Sequence, residues 1–287
     1  MNIDYLIYLL TSVAIWVIAG VSYQVSIGFA GIMNLGFVAL MGIGGYAYAL
    51  LIRAADLNPS ISLALACIAP IPFALLLSFL TKRVRGDYLA LMTLWFSLVI
   101  TILLMNLESI TRGALGIPGI IRPAAISQSS TFAFFAAACA ALLSFFAIKL
   151  QRSPLGTVMA ALRDDELAAQ TFGKNTFRVK IIAFVLSSIG AGFSGALLAM
   201  FLGFIDPVSF YLPQLIIVLT FVIVGGLASV PGIIIAATGL TLLPELLRFL
   251  PFPTETVGAL RAIIYSLILL IIILYRPKGI LGKVELE

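Results

Sequence analysis

The residues best suited to act on another molecule lie in 153–177, SPLGTVMAALRDDELAAQTFGKNTF. Arg163, Asp164, Asp165 and Glu166 stand together there, followed by the paired alanines Ala168 and Ala169 and by Gly173. Adjacent carboxylates can hold a metal that carries a diphosphate, but no second acidic cluster accompanies Asp164 and Asp165. Gly86-Asp87 is a lone pair at a loop, without an aspartate partner inside a span. There is no G-x-x-x-x-G-K-S/T phosphate loop and no histidine, so ATP is not bound by that route. These residues predict no catalytic site, no metal and no cofactor. Recognition remains: a polar, helical handle offered to a second protein.

The elements that must hold this handle are apolar throughout. The chain has 287 residues, 62% of them hydrophobic and 10% charged, with mean hydropathy +1.18. Water-facing positions of a soluble domain cannot be that apolar. Runs of about 18 or more apolar residues recur, each long enough to cross the bilayer's hydrocarbon as a helix. Barrel strands alternate polar and apolar residues, and these runs do not. The expected fold is all-α: a polytopic transmembrane bundle of about nine spans, forming one transmembrane domain over 1–287. The spans fall near 5–22, 35–52, 61–80, 88–106, 132–150, 181–203, 212–227, 231–248 and 259–275. The first, lacking a basic leader and a small-residue cleavage site, is expected to be retained rather than a signal peptide. Cys67 and Cys139 lie inside spans and are expected to pack.

Charge orients the spans. Lys82, Arg83 and Arg85 occupy one loop, and Lys149, Arg152, Arg163, Lys174, Arg178 and Lys180 fill or flank the next but one. Arg276, Lys278 and Lys283 form the tail, whereas Arg53, Arg112, Arg122, Arg248 and Arg261 fall in the opposite loops. By the positive-inside rule the loop 151–179 and the C-terminus face the cytoplasm, and nine spans then put the N-terminus outside. The net charge of +5 serves this anchoring in the lipid membrane, with no nucleic-acid patch.

Within the loop, Ser153 is a good N-cap and Pro154 suits the first helical position. Leu155, Val158, Met159, Leu162, Ala169 and Phe172 recur at three- and four-residue spacing, so one amphipathic helix is expected, stopped by Gly173. Arg163, Asp164, Glu166 and Gln170 occupy its other faces. A helix resting on lipid headgroups favours basic residues on its polar face. An acidic face is repelled by an anionic leaflet and suits protein docking better.

Two glycine-rich segments interrupt the apolar runs: Gln24 to Asn34, with Gly28 and Gly31, and GGLASVPG at 225–232, with Gly225, Gly226, Ser229 and Gly232. Paired breaks of this kind point to a transport pathway built on broken or re-entrant helices, and ordinary tight turns are the alternative. In the sixth span Ser187, Ala191, Gly195 and Ala199 recur every fourth residue beside Ser188, Gly192 and Ala196, rows that allow close helix contact. Ala228, Gly232 and Ala236 repeat the spacing. No ionisable residue sits near the centre of a span, which disfavours proton- or sodium-coupled carriers and excludes a voltage sensor.

On these residues the chain resembles the permease subunits of ABC importers for branched-chain amino acids. ELAAQTFGKNTFRVKIIAFVLSSIGAGFSGAL (166–197) is similar to that family's EAA-type loop and following span, with Glu166, Ala168, Ala169 and Gly173 on its characteristic positions. GFAGIMNLGFVALMGIGGYAYALL (28–51), ITRGALGIPGI (110–120), VGGLASVPGIIIAA (224–237) and YRPKGILG (275–282) extend the likeness in the family's order. The resemblance implies cytoplasmic ATP-binding subunits docked on 153–173, a homologous second permease subunit, and an extracytoplasmic solute-binding protein. It also implies the inner membrane of a bacterium or archaeon. Phe37 departs from the pattern, where a polar residue is expected. Permeases for urea or short amides, a passive channel, and a secondary carrier are the competing readings.

Overall fold

A computed structural model describes residues 3–84, 86–247 and 263–282, except 265, 269, 273, 276 and 277; for 244–247 only the backbone is described. The fold is an all-α membrane bundle. Its helices are α1 (Ile3–Gln24, prolonged by a π-turn, Val25–Phe29), α2 (Phe37–Arg53), α3 (Pro59–Ile68), α4 (Ile71–Leu80), α5 (Asp87–Asn106) and α6 (Glu108–Thr111). They continue as α7 (Ser129–Gln151), α8 (Pro154–Asp164), α9 (Glu166–Thr171), α10 (Thr176–Leu202), α11 (Leu212–Gly225) and α12 (Val230–Leu247). Among the described residues six helices are long and apolar enough to cross a membrane, α3 and α4 counting as one. Two shorter apolar helices, Phe37–Arg53 and Val230–Leu243, join them. Of the expected span 259–275, residues 263, 264, 266–268, 270–272, 274 and 275 are described and are helical; the rest lie outside the described residues. Arg85, Arg248, Arg261, Arg276 and Lys283 lie wholly outside them.

Local sequence explains the element ends. Asn58 accepts from the Ser60 N–H ahead of Pro59, and Asn175 accepts from the Arg178 N–H to start α10. Gly203, at φ 65°, ends α10 in the left-handed conformation that costs glycine little. Pro70 and Pro72, which lack donors, mark the join between α3 and α4.

Helix α10 is the spine. Gly192 and Gly195 meet Gly44 and Gly45 of α2 so closely that a methyl at Gly44 would overlap the Gly192 backbone. A methyl at Gly195 would overlap the Met41 carbonyl. Backbones in that range gather many small dispersion contacts where lipid supplies no hydrophobic drive. The small-residue row read from α10 thus has its partner in α2. Helix α1 packs against α7, α10, α11 and α12. Every residue from Ala14 to Ala30 is buried, whereas Trp95 of α5 and Phe134 of α7 face outward.

The two glycine-rich segments are resolved differently. Residues 30–36 form no helix, yet Ile32, Asn34 and Gly36 are buried. Buried backbone needs partners, and it has them. The Ile32 N–H reaches the Ser26 carbonyl at 2.9 Å, the Leu35 N–H reaches Thr93 Oγ1 on α5 at 2.9 Å, and the Gly36 N–H reaches Asn34 Oδ1 at 3.1 Å. The first break is therefore an irregular segment whose buried residues are hydrogen-bonded within the protein, while Gly31 and Met33 are exposed. The second is a tight turn between α11 and α12, with Gly226 at φ 98° and Ala228 at φ 58°.

At the other end of α10, about 40 Å away at 1.5 Å per residue, Ile117–Pro118 (β1) pairs antiparallel with Phe204–Ile205 (β2). Arg53 donates to the Pro118 carbonyl at 2.6 Å, and Arg122 Nε to the Met200 carbonyl at 3.1 Å. The Arg122 guanidinium also lies 4.4 Å from the centre of the Phe132 ring, and burial lowers its pKa.

Candidate coupling and translocation site

The loop between α7 and α10 is two helices. Ser153 caps α8 as expected, its hydroxyl accepting from the Gly156 N–H at 3.2 Å, with Pro154 at the first position. The single helix expected through to Gly173 is broken at Asp165. That residue is extended (φ −156°, ψ 108°), and its carboxylate accepts from the Leu167 and Ala168 N–H groups at 2.8 and 3.0 Å. The side chain bids for free N–H groups more effectively here than the α8 carbonyls do, so a new helix starts. Gly173 stops α9 at φ 72°. Its N–H bonds to the Gln170 carbonyl, and the Lys174 N–H bonds back to Ala169, a Schellman ending.

The break shifts the helical phase and rearranges the faces read from the sequence. Met159, Leu162 and Ala169 are buried as expected, but Phe172 is 82% exposed, beside exposed Leu167. The acidic residues also have partners within the chain. Asp164 is held by Arg163 Nε and Nη2, each at 2.9 Å, and Asp165 is occupied in capping. Glu166 pairs with Lys180 of α10 at 2.7 Å, with only 22% of its side chain exposed. What the loop offers outward is mixed: Asp164, Asp165, Gln170 and Lys174 are exposed together with Leu167 and Phe172.

Arg163 turns inward instead of lying on a solvated face. Its Nη1 donates to the Gly28 carbonyl at 2.9 Å. Gly31, at φ 68°, sits so close that a Cβ would meet Arg163 Cγ at 2.6 Å and its Cα at 2.8 Å. Two of the glycines proposed for the pathway, Gly28 and Gly31, therefore touch α8. A cavity of about 590 Å³ opens beside them, lined among others by Phe29, Arg152, Thr157, Arg163, Ser229 and Leu281. Ser229 Oγ accepts from the Gly232 N–H at 3.2 Å. Gly225 and Gly232 face each other at packing distance, and Gly226 lies against Lys278 and Gly282 of the tail. Asn34 stands apart beside α5, fully buried, its Nδ2 without a partner.

A family model described as "Branched-chain amino acid transport system / permease component" matches residues 5–274. The chain belongs to that family. LivM, the high-affinity branched-chain amino acid transport system permease protein of Salmonella typhimurium strain LT2, is 33% identical over 266 residues. That alignment covers 83% of this chain and 61% of LivM, and LivM of Escherichia coli strain K12 gives the same figures. The chain thus spans less than two thirds of the length of these relatives. LivH of Escherichia coli strain K12 is 31% identical over 141 residues, 49% of this chain and 44% of LivH. The structure titled "PsaBC from Streptococcus pneumoniae in complex with Fab" has a similar fold: TM-score 0.51, 14% identity, 97% of this chain and 94% of that one.

In this branched-chain permease-family chain, three side chains at the site went unassigned from sequence. Gln24 donates to the Gly226 carbonyl at 3.1 Å, Gln151 to the Ala228 carbonyl at 2.5 Å, and Lys180 holds Glu166. An amide at the end of an otherwise apolar span was the available signal for Gln24 and Gln151. From sequence Lys180 is only an orienting charge.

Proposed function

We propose that this chain is the transmembrane permease subunit of an ATP-driven ABC importer that moves branched-chain or related amino acids. The supporting observation is a family match over nearly the whole chain, together with a capped two-helix loop that presents Leu167 and Phe172 outward while reaching Gly28 inward. In this reading cytoplasmic ATP-binding subunits dock on 153–173, with Arg163, Asp164, Asp165, Glu166, Ala168, Ala169 and Gly173 shaping the handle. A homologous permease subunit completes the pathway, and an extracytoplasmic binding protein supplies the solute. The bundle crosses a bacterial or archaeal inner membrane about nine times, with loop and C-terminus cytoplasmic. The tail supports this side assignment, because the Ile280 and Leu281 N–H groups bond to the Val224 and Gly225 carbonyls and Leu281 shares the cavity with Arg163.

Gly28, Gly31, Asn34, Gly225, Gly226, Ser229 and Gly232 are assigned to the pathway region, which supplies backbone and small polar groups beside a cavity also lined by Arg152 and Arg163. The test is leucine uptake in proteoliposomes. The reading expects uptake only when ATP-binding subunits, sister permease and binding protein are all present and ATP is hydrolysed. Leucine flux through this chain alone would establish a passive channel instead. Uptake abolished by an uncoupler at constant ATP would establish a secondary carrier.

A further inference from the structure

Arg163 is a long cation whose side chain is only 14% exposed although it sits on a loop helix. Its charge is balanced by Asp164, and Nη1 donates to the Gly28 carbonyl of the π-turn. Gly28 has no side chain because Gln24 fills that space: a Cβ there would meet the Gln24 Nε2 at 2.8 Å. Gln24 is fully buried, and from there its Nε2 reaches the Gly226 carbonyl in the α11–α12 turn, 3.1 Å away. Its Oε1 has no partner, so the amide is kept at a cost that a leucine would avoid. Arg163, Gly28, Gln24 and Gly226 therefore form one contiguous line from the coupling helix through the first break to the second. Gln151, at the end of α7 beside α8, holds the same turn through the Ala228 carbonyl.

Resting on the importer reading, the geometry points to this line as a strap that carries displacement of α8 into both glycine-rich segments. Arg163 and Gln24 are then positioning residues for translocation. The π-turn and the irregular residues 30–36 are the part able to move, since few regular helix bonds hold them, while the glycine-packed α2–α10 pair stays rigid. Coupling of this kind needs a packed, hydrogen-bonded connection with alternative arrangements.

The complete complex in proteoliposomes, with leucine as solute, tests it. Gln24→Ala is expected to keep ATP hydrolysis, and Gln24→Ala and Arg163→Ala are each expected to lower leucine moved per ATP about tenfold, the scale of one lost hydrogen bond to a charged or buried partner. The double variant is expected to be no worse than the worse single, and Arg163→Lys to recover part of the loss. Wild-type ratios in either single, or losses that multiply in the double, would overturn the strap. Hydrogen exchange on this chain alone in nanodiscs gives a reading independent of ATP. Arg163→Ala should speed exchange in both 26–34 and 225–229, and acceleration confined to 26–34 would overturn it. If the wild-type complex couples no uptake to ATP, the importer reading fails and the exchange result alone decides the strap.

Discussion

Glu166 separates two ideas about the loop: an acid presented to a partner, or an acid holding the loop together. The structure places its carboxylate 2.7 Å from Lys180 Nζ, with 9% of the lysine side chain exposed and 22% of the glutamate. At that distance and an effective dielectric of about 20 the gross attraction is roughly 6 kcal/mol. Desolvation offsets much of it, and partial exposure of Glu166 screens more, so removing one partner costs about 3 kcal/mol, the low end for breaking a buried pair. Glu166→Gln leaves Lys180 unpaired under α9 and should release α9 from α10. A loss of about 3 kcal/mol corresponds to a rise of about two orders of magnitude in local opening. Hydrogen exchange across 166–173 on the chain without partners reads this directly. The charge reversal Glu166→Lys with Lys180→Glu should restore much of the protection. Unchanged exchange in Glu166→Gln would refute the reasoning and return Glu166 to the role of an outward-facing acid.

Four further outcomes follow from the same geometry. Asp165→Ala removes the cap of α9 and should cost about 1 kcal/mol, seen as faster exchange at 167–168, while Asp165→Asn should cost much less. Gly195→Ala forces a methyl against the Met41 carbonyl and should lower the thermal midpoint in detergent, an overpacking cost of about 1–3 kcal/mol. Gly239→Ala, in open space within α12, should raise that midpoint, gaining about 0.5–1 kcal/mol of helix propensity. Phe172→Asp changes a side chain that is 82% exposed, so the fold should hold within about 0.5 kcal/mol. Co-purification of the ATP-binding subunits should fall, and undiminished recovery would count against docking at α9.

Membrane residence, the helical class and the place of the polar loop were legible in the sequence because they depend on local quantities. Apolar runs of 18 or more residues, turn glycines and the caps Ser153-Pro154 and Gly173 act within a few residues of themselves. The packing row on α10 was legible too, since its period shows on one helix. Its partner glycines, Gly44 and Gly45, were not singled out as such, because nothing local says which helix lies opposite. Nor could periodicity foresee the break at Asp165. There a single side chain competes with the helix for the same N–H groups, and that shift of phase turned Phe172 outward. Arg163 and Glu166 looked like surface charges by composition alone. Only the tertiary structure showed that Gly28, 135 positions away in the chain, needed a donor and that Lys180 needed an acid. Sequence reports what a residue can offer; the folded chain decides which buried group lacks a partner, and desolvation makes that lack costly enough to choose the contact.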